Sequence, residues 1–118
     1  MAKYLLLIYG DEQTWETMPE AEQRAIDEGH IAFRAAAGAA VLDGQQLDAA
    51  RTSTTLRTDA TGRVSQTDGP FVETKEAVGG YYLIDVADRD EAVALTMRLR
   101  EVHAGHSGVE IRPIFQHG

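Results

Sequence analysis

Two segments of the chain are apolar at nearly every position. KYLLLIY (3–9) and YYLIDV (81–86) show almost no polar alternation, as expected of strands covered on both faces. Elsewhere the period lengthens. Ile26, His30, Phe33 and Ala37 recur at i, i+4, i+7 and i+11, which is one face of a helix over residues 18–37. Pro19 suits its first turn, Thr17 and Glu20 have capping-box spacing, and Gly38 is a natural stop. Gly29 lies inside this helix, at a cost of about 1 kcal/mol against Ala. A second helix is expected over 89–103. Asp88 and Glu91 would cap it, Ala92, Leu95, Leu99 and Val102 would face inward, and Gly105 would end it.

The segments between them have β character. AAVLDG (39–44) predicts a short strand and an Asp-Gly turn. ARTSTTLR (50–57) and RVSQT (63–67), joined by TDATG (58–62), predict a hairpin. GVEIRPIF (108–115) is the last strand, with Pro113 placing its later part at an edge. The order β–α–β, hairpin, β–α–β runs through a single domain, residues 1–118, with no repeat or linker. Two helices on one side of a mainly antiparallel sheet define an α+β sandwich of ferredoxin-like type, βαββ(β)αβ. Such a sheet has one face left over. The two-sided apolar strands imply that this face is also covered, most simply by a second subunit.

Composition narrows the function. Eleven basic against nineteen acidic residues give a formal charge of −8, and no basic run interrupts it. Nucleic-acid affinity comes mainly from neutralising phosphates, so a nucleic-acid partner is disfavoured, as is a membrane surface. Cysteine is absent, which excludes disulfides, thiolate metal sites and a Cys nucleophile. The apolar run Tyr4–Tyr9 is too short for a signal-peptide core or a membrane span, so a soluble, cytoplasmic protein is expected. HAGH (103–106), with His117 beyond it, has metal-ligating residue types. However, His in a last helical turn already complements the helix dipole, so no metal and no cofactor is expected.

DGPFVETKE (68–76) stands out beside this. Asp68-Gly69-Pro70 is turn chemistry, Phe71 can anchor the loop in the core, and Gly79-Gly80 leads into the strand at Tyr81. Lys75 and Glu76 can begin a helical turn or pair with nearby charges. Arg51, Arg57, Arg63 and Lys75 surround the hairpin and this loop, and one or two of them could hold an anionic ligand. Tyr81 and Tyr82 point to opposite faces, so only one can line a given cavity. Trp15 follows the first strand, where it covers a cleft mouth or caps the helix entry.

DGPFVETKE followed by VGGYYLIDV resembles the signature of the YCII-related family, specifically its DGPF branch. KYLLLIYGDE and VEIRPI are similar to that branch too, so the likeness runs from Lys3 to Ile114. The resemblance implies a ferredoxin-like fold that pairs into a dimeric α/β barrel, hence a homodimer. It implies no single reaction. The wider family has a proposed His–Asp pair with the His on the first helix, which matches His30 in GHIAFRAAAGAAVLDG. Asp68 is the first choice for its partner and Asp43 the rival. Such a pair could take a proton from a phenol or an acidic carbon. Lys75, Tyr81 and Arg57 are the candidate ligand-binding residues. The resemblance supports two classes: a small cofactor-independent enzyme or ligand-binding protein, or a non-catalytic module linked to an extracytoplasmic-function sigma factor.

Overall fold

The computed structural model describes residues 1–117. In chain order the elements are β1 (Ala2–Asp11), α1 (Glu12–Thr17), α2 (Glu20–Ala37), β2 (Val41–Gln46), β3 (Thr54–Thr58), β4 (Val64–Asp68), β5 (Glu76–Val86), α3 (Arg89–Thr96), α4 (Arg100–His103) and β6 (Ser107–Pro113). Four strands form one antiparallel sheet in the order β2-β5-β1-β6, with the two long apolar strands at its centre. That architecture is compatible with a ferredoxin-like α+β fold. The proline-bearing strand β6 is an edge, as its sequence requires.

Alternation along the central strands sorts their side chains into two faces. Tyr4, Leu6 and Ile8 of β1 lie with Tyr82, Ile84 and Val86 of β5 under the helices, all buried. Phe33 of α2 and Ala92, Leu95 and Leu99 of the second helical segment close this core. The other face is also apolar: Leu5 sits opposite Leu83 and Leu7 opposite Tyr81. These four are only partly buried.

The helices differ from the sequence expectation at three points. Thr17 does not cap α2; its hydroxyl donates to the Gln13 carbonyl at 2.8 Å, inside the unforeseen short helix α1. Asp11 caps α1, accepting from the Gln13 and Thr14 amides. The expected helix 89–103 starts as predicted, with Asp88 accepting from the Glu91 amide and Glu91 from the Ala87 amide. It then breaks after Thr96, whose buried hydroxyl donates to the Ala92 carbonyl at 2.7 Å. This kind of back-bonding weakens the local helical ladder and bends helices.

The hairpin forms where predicted, but it stands apart. Strands β3 and β4 make a two-stranded sheet of their own. Leu56, Val64, Phe71 and Val72 on and beside it are each more than 60% exposed. Phe71 therefore does not anchor the loop in the core; the Arg57 guanidinium lies over its ring at 4.0 Å instead. The radius of gyration, 16.3 Å, exceeds the roughly 13.5 Å of a compact chain of this length. The molecule is a two-layer body with a projecting β-arm.

Candidate functional site

The site begins with Gly29. A Cβ at this position would lie 2.8 Å from the Arg100 amide nitrogen. Glycine lets α2 approach α4 that closely, which explains why the helix accepts its propensity cost. His30, the next residue, then meets Glu101, the residue after Arg100. The His30 Nε2–H donates to the Glu101 carboxylate at 2.7 Å. The Tyr82 hydroxyl donates to His30 Nδ1 at 2.6 Å, and the Arg34 Nε–H donates to the Tyr82 oxygen at 3.4 Å. A carboxylate that only accepts fixes the proton of a neutral imidazole on Nε2 and leaves Nδ1 as an acceptor. The Glu101 side chain is 6% exposed and that of His30 26%.

Outside this pair, an ionic clamp holds α4 on α2. Arg100 donates to both Glu22 carboxylate oxygens at 3.0–3.2 Å, and His106 Nε2–H donates to the same carboxylate at 2.9 Å. The Arg100 hydrogen bonds, then that of His106, hold the Glu22 carboxyl below the usual carboxylate range. The Ser107 hydroxyl donates to His106 Nδ1 at 2.6 Å and accepts the Trp15 indole N–H at 3.0 Å. The indole lies flat over Gly10 and Gly79, where any Cβ would come within 2.6 Å of the ring.

Between α2, the indole and the ends of β2 and β5 opens a cleft of about 610 Å³. Ile8, Trp15, Ile26 and Ile31 supply apolar walls, with Tyr81 and Tyr82 beside them. His30, Arg34 and Glu101 supply polar groups linked to one another through His30 and Tyr82, and Glu16, Gln23, Asp27, Gln45 and Gln46 also line the cleft. This is the form of a small-molecule site: concave, largely apolar, with a few placed polar atoms.

The residues singled out from sequence are distributed unevenly. His30 and Tyr81 line the cleft, and Tyr82 lines it too, contrary to the expectation that only one of the two tyrosines would. Asp68, Asp43, Lys75 and Arg57 are not among its lining residues. Asp68 ends β4 opposite Thr54 on the detached arm, so the carboxylate that meets His30 is Glu101. Asp43 accepts from the Tyr81 hydroxyl at 2.7 Å and from the Gly44 amide, which together lower its carboxyl from its ordinary value; the same bond raises the Tyr81 phenol. Lys75 is highly exposed, 3.7 Å from Asp11. Arg51 pairs with Glu16 at 2.8 Å. His103 Nε2–H donates to the Met97 carbonyl at 2.7 Å. Among the described residues no three His, Asp or Glu side chains are grouped as a metal ion would require.

Glu101, Tyr82 and Arg34 did not emerge from the sequence. Glu101 lies off the apolar stripe of an unbroken 89–103 helix, and only the break after Thr96 turns it inward. The available signal was Gly29 beside His30: an unfavourable helix residue marking a close helix contact.

Fold and cleft define a small two-layer α+β protein with one His-centred ligand-sized hollow. The family model of the YCII-related domain matches residues 2–117, and the chain belongs to that family. A relative in Rhizobium meliloti (strain 1021), described only as an uncharacterised protein, is 34% identical over 113 residues, covering 94% of this chain and 90% of its own. No helix among the described residues is long and apolar enough to cross a membrane.

Proposed function

We propose that this chain is a cofactor-independent cleft protein that binds a small molecule and performs acid–base chemistry on it, within the DGPF branch of its family. One observation carries the reading: an imidazole bonded to a buried carboxylate on one side and a phenol on the other, at the wall of a 610 Å³ hollow. A histidine oriented by a carboxylate is the usual arrangement for moving protons near neutral pH. The half-covered sheet face and the arm's exposed apolar side chains support a second copy as the lid, in a dimeric α/β barrel.

Solvent-deuterium exchange tests the chemistry. Acetylacetone and the keto acids pyruvate, acetoacetate and levulinate, each with an acidic carbon, are incubated with the protein in D₂O and followed by ¹H NMR. At least one should exchange faster than in buffer, and His30→Gln should abolish the excess. Binding is read independently from Trp15, the only tryptophan and part of the cleft wall. If no probe exchanges faster than in buffer, the acid–base reading is wrong, and if none alters Trp15 emission the binding reading is wrong as well.

A further inference from the structure

We infer that the proton-exchanging group of the cleft is the Tyr82 hydroxyl, with His30 behind it as a relay and Arg34 as the anchor for an anionic ligand. The inference rests on the acid–base reading above and assigns its working atoms. Both ring nitrogens of His30 are already engaged, Nε2 by Glu101 at 2.7 Å and Nδ1 by Tyr82 at 2.6 Å. No imidazole nitrogen is left to accept a ligand proton directly. The Tyr82 oxygen, by contrast, gives its proton to Nδ1 and receives only one distant N–H, from Arg34 at 3.4 Å. A phenol oxygen has two acceptor sites, so one is available at the cleft wall that Tyr82 lines.

Arg34 gives the ligand its charge. Its guanidinium carbon lies 5.3 Å from the centre of the Tyr82 ring, and among the described residues it forms no ion pair. A carboxylate held there bidentately would leave a carbon further along the ligand, flanking its ketone, to meet the Tyr82 hydroxyl. The step balances without a co-reactant. The ligand's C–H proton passes to the Tyr82 oxygen as the phenolic proton passes to Nδ1. The C–H bond pair stays on the ligand as an enolate, and the imidazolium formed remains paired with the Glu101 carboxylate. The expected ligand is therefore an enolisable organic acid. The apolar and aromatic walls select one with a hydrophobic body.

Two measurements test this. In the first, ¹⁵N-correlated NMR of the histidine rings reads the His30 tautomer in the ligand-free protein. Nε2 should carry the proton of the neutral ring, with Nδ1 shifted as a hydrogen-bond acceptor, and Tyr82→Phe should move the Nδ1 resonance. A neutral ring protonated on Nδ1 overturns the relay, whether or not any ligand is found. In the second, levulinate exchange is measured for three proteins. Tyr82→Phe should lower the saturated exchange rate about 100-fold or more while Trp15 titrations show levulinate affinity within about threefold of wild type. Arg34→Gln should do the reverse, weakening levulinate at least tenfold with the saturated rate little changed. Exchange by Tyr82→Phe within about threefold of wild type would place the proton transfer on His30 itself and overturn the inference. If wild-type protein exchanges none of the probes, the broader acid–base reading fails, while the tautomer measurement still decides whether the relay exists.

Discussion

The body and the arm are both built from antiparallel β-strands, yet they are held by different forces. In the body, every second residue from Tyr4 to Gly10 of β1 and from Gly80 to Val86 of β5 is buried, so side-chain alternation fixes register and face. In the arm, β3 and β4 are exposed at nearly every position, on both faces. An isolated two-stranded hairpin is marginal in water, and this one keeps its shape through ladder bonds, the Asp59 turn and the Arg57–Phe71 stack. The comparison separates recognisability from chemistry. The most distinctive string of the chain, DGPFVETKE, belongs mostly to the arm and its return. The cleft is assembled from residues with no string in common: His30, Tyr82 and Glu101.

The contrast breaks if core and arm respond alike to truncation. Phe33 is fully buried against Tyr82, with ring centroids 4.5 Å apart. Phe33→Ala should cost about 3–5 kcal/mol, enough to unfold a marginal domain, read by urea titration. A loss of under 1 kcal/mol would mean that the helix layer does not hold the body. Gly79→Ala probes the cleft wall at a smaller scale. The new methyl would collide with the indole at 2.4 Å, so Trp15 must leave its slot. We expect about 1–3 kcal/mol of destabilisation and a red shift of tryptophan emission. Unchanged emission would show that the indole does not lie in that slot.

The same contrast explains what could be read from residues alone. Element order, the edge position of β6, the Asp88 cap and the inward stripe of α2 all follow from local pattern, because burial imposes period on these segments. His30 was legible for the same reason: a polar residue on an apolar stripe. Its partner was not. Glu101 faces inward because the helical phase changes at the break after Thr96, and no periodicity crosses such a break. Asp68 looked a better partner because its turn chemistry is conspicuous, but turn chemistry specifies backbone shape and not what the turn sits against. The arm's detachment was illegible on similar grounds, since a hairpin pattern does not say which sheet it joins.

Acid should act on the body's helix clamp. Glu22 has its carboxyl lowered below the ordinary 4.5 by Arg100 first and His106 second. A folded-state value below the unfolded one contributes stability that is complete above about pH 4.5 and is lost as pH falls through the lowered value. Melting temperatures of wild type and Glu22→Gln should therefore differ at neutral pH and converge in acid. A gap that is constant with pH, or that opens only in acid, would show that the Glu22 charge does not hold α4 against α2. The clamp is partly exposed, so the gap should also shrink with added salt.

The smallest expected effect lies in the arm, and it is the sharpest test of what the arm is for. Leu56 and Val64 are each 63% exposed. Replacing both with serine removes apolar atoms that touch water, not core, so the folding free energy of the single chain should change by no more than about 0.5 kcal/mol. A loss of several kcal/mol at concentrations where the chain sediments near its 12.9 kDa mass would show that the arm is packed on its own body, contrary to the structure. Self-association gives the same substitution a second outcome. If these side chains help to cover another copy, the double variant should dissociate to the 12.9 kDa species at concentrations where wild type sediments as a dimer. If both proteins sediment as the same dimer, the apolar sheet face of Leu5, Leu7, Tyr81 and Leu83 alone carries the association. The arm's hydrophobic residues would then serve some other contact.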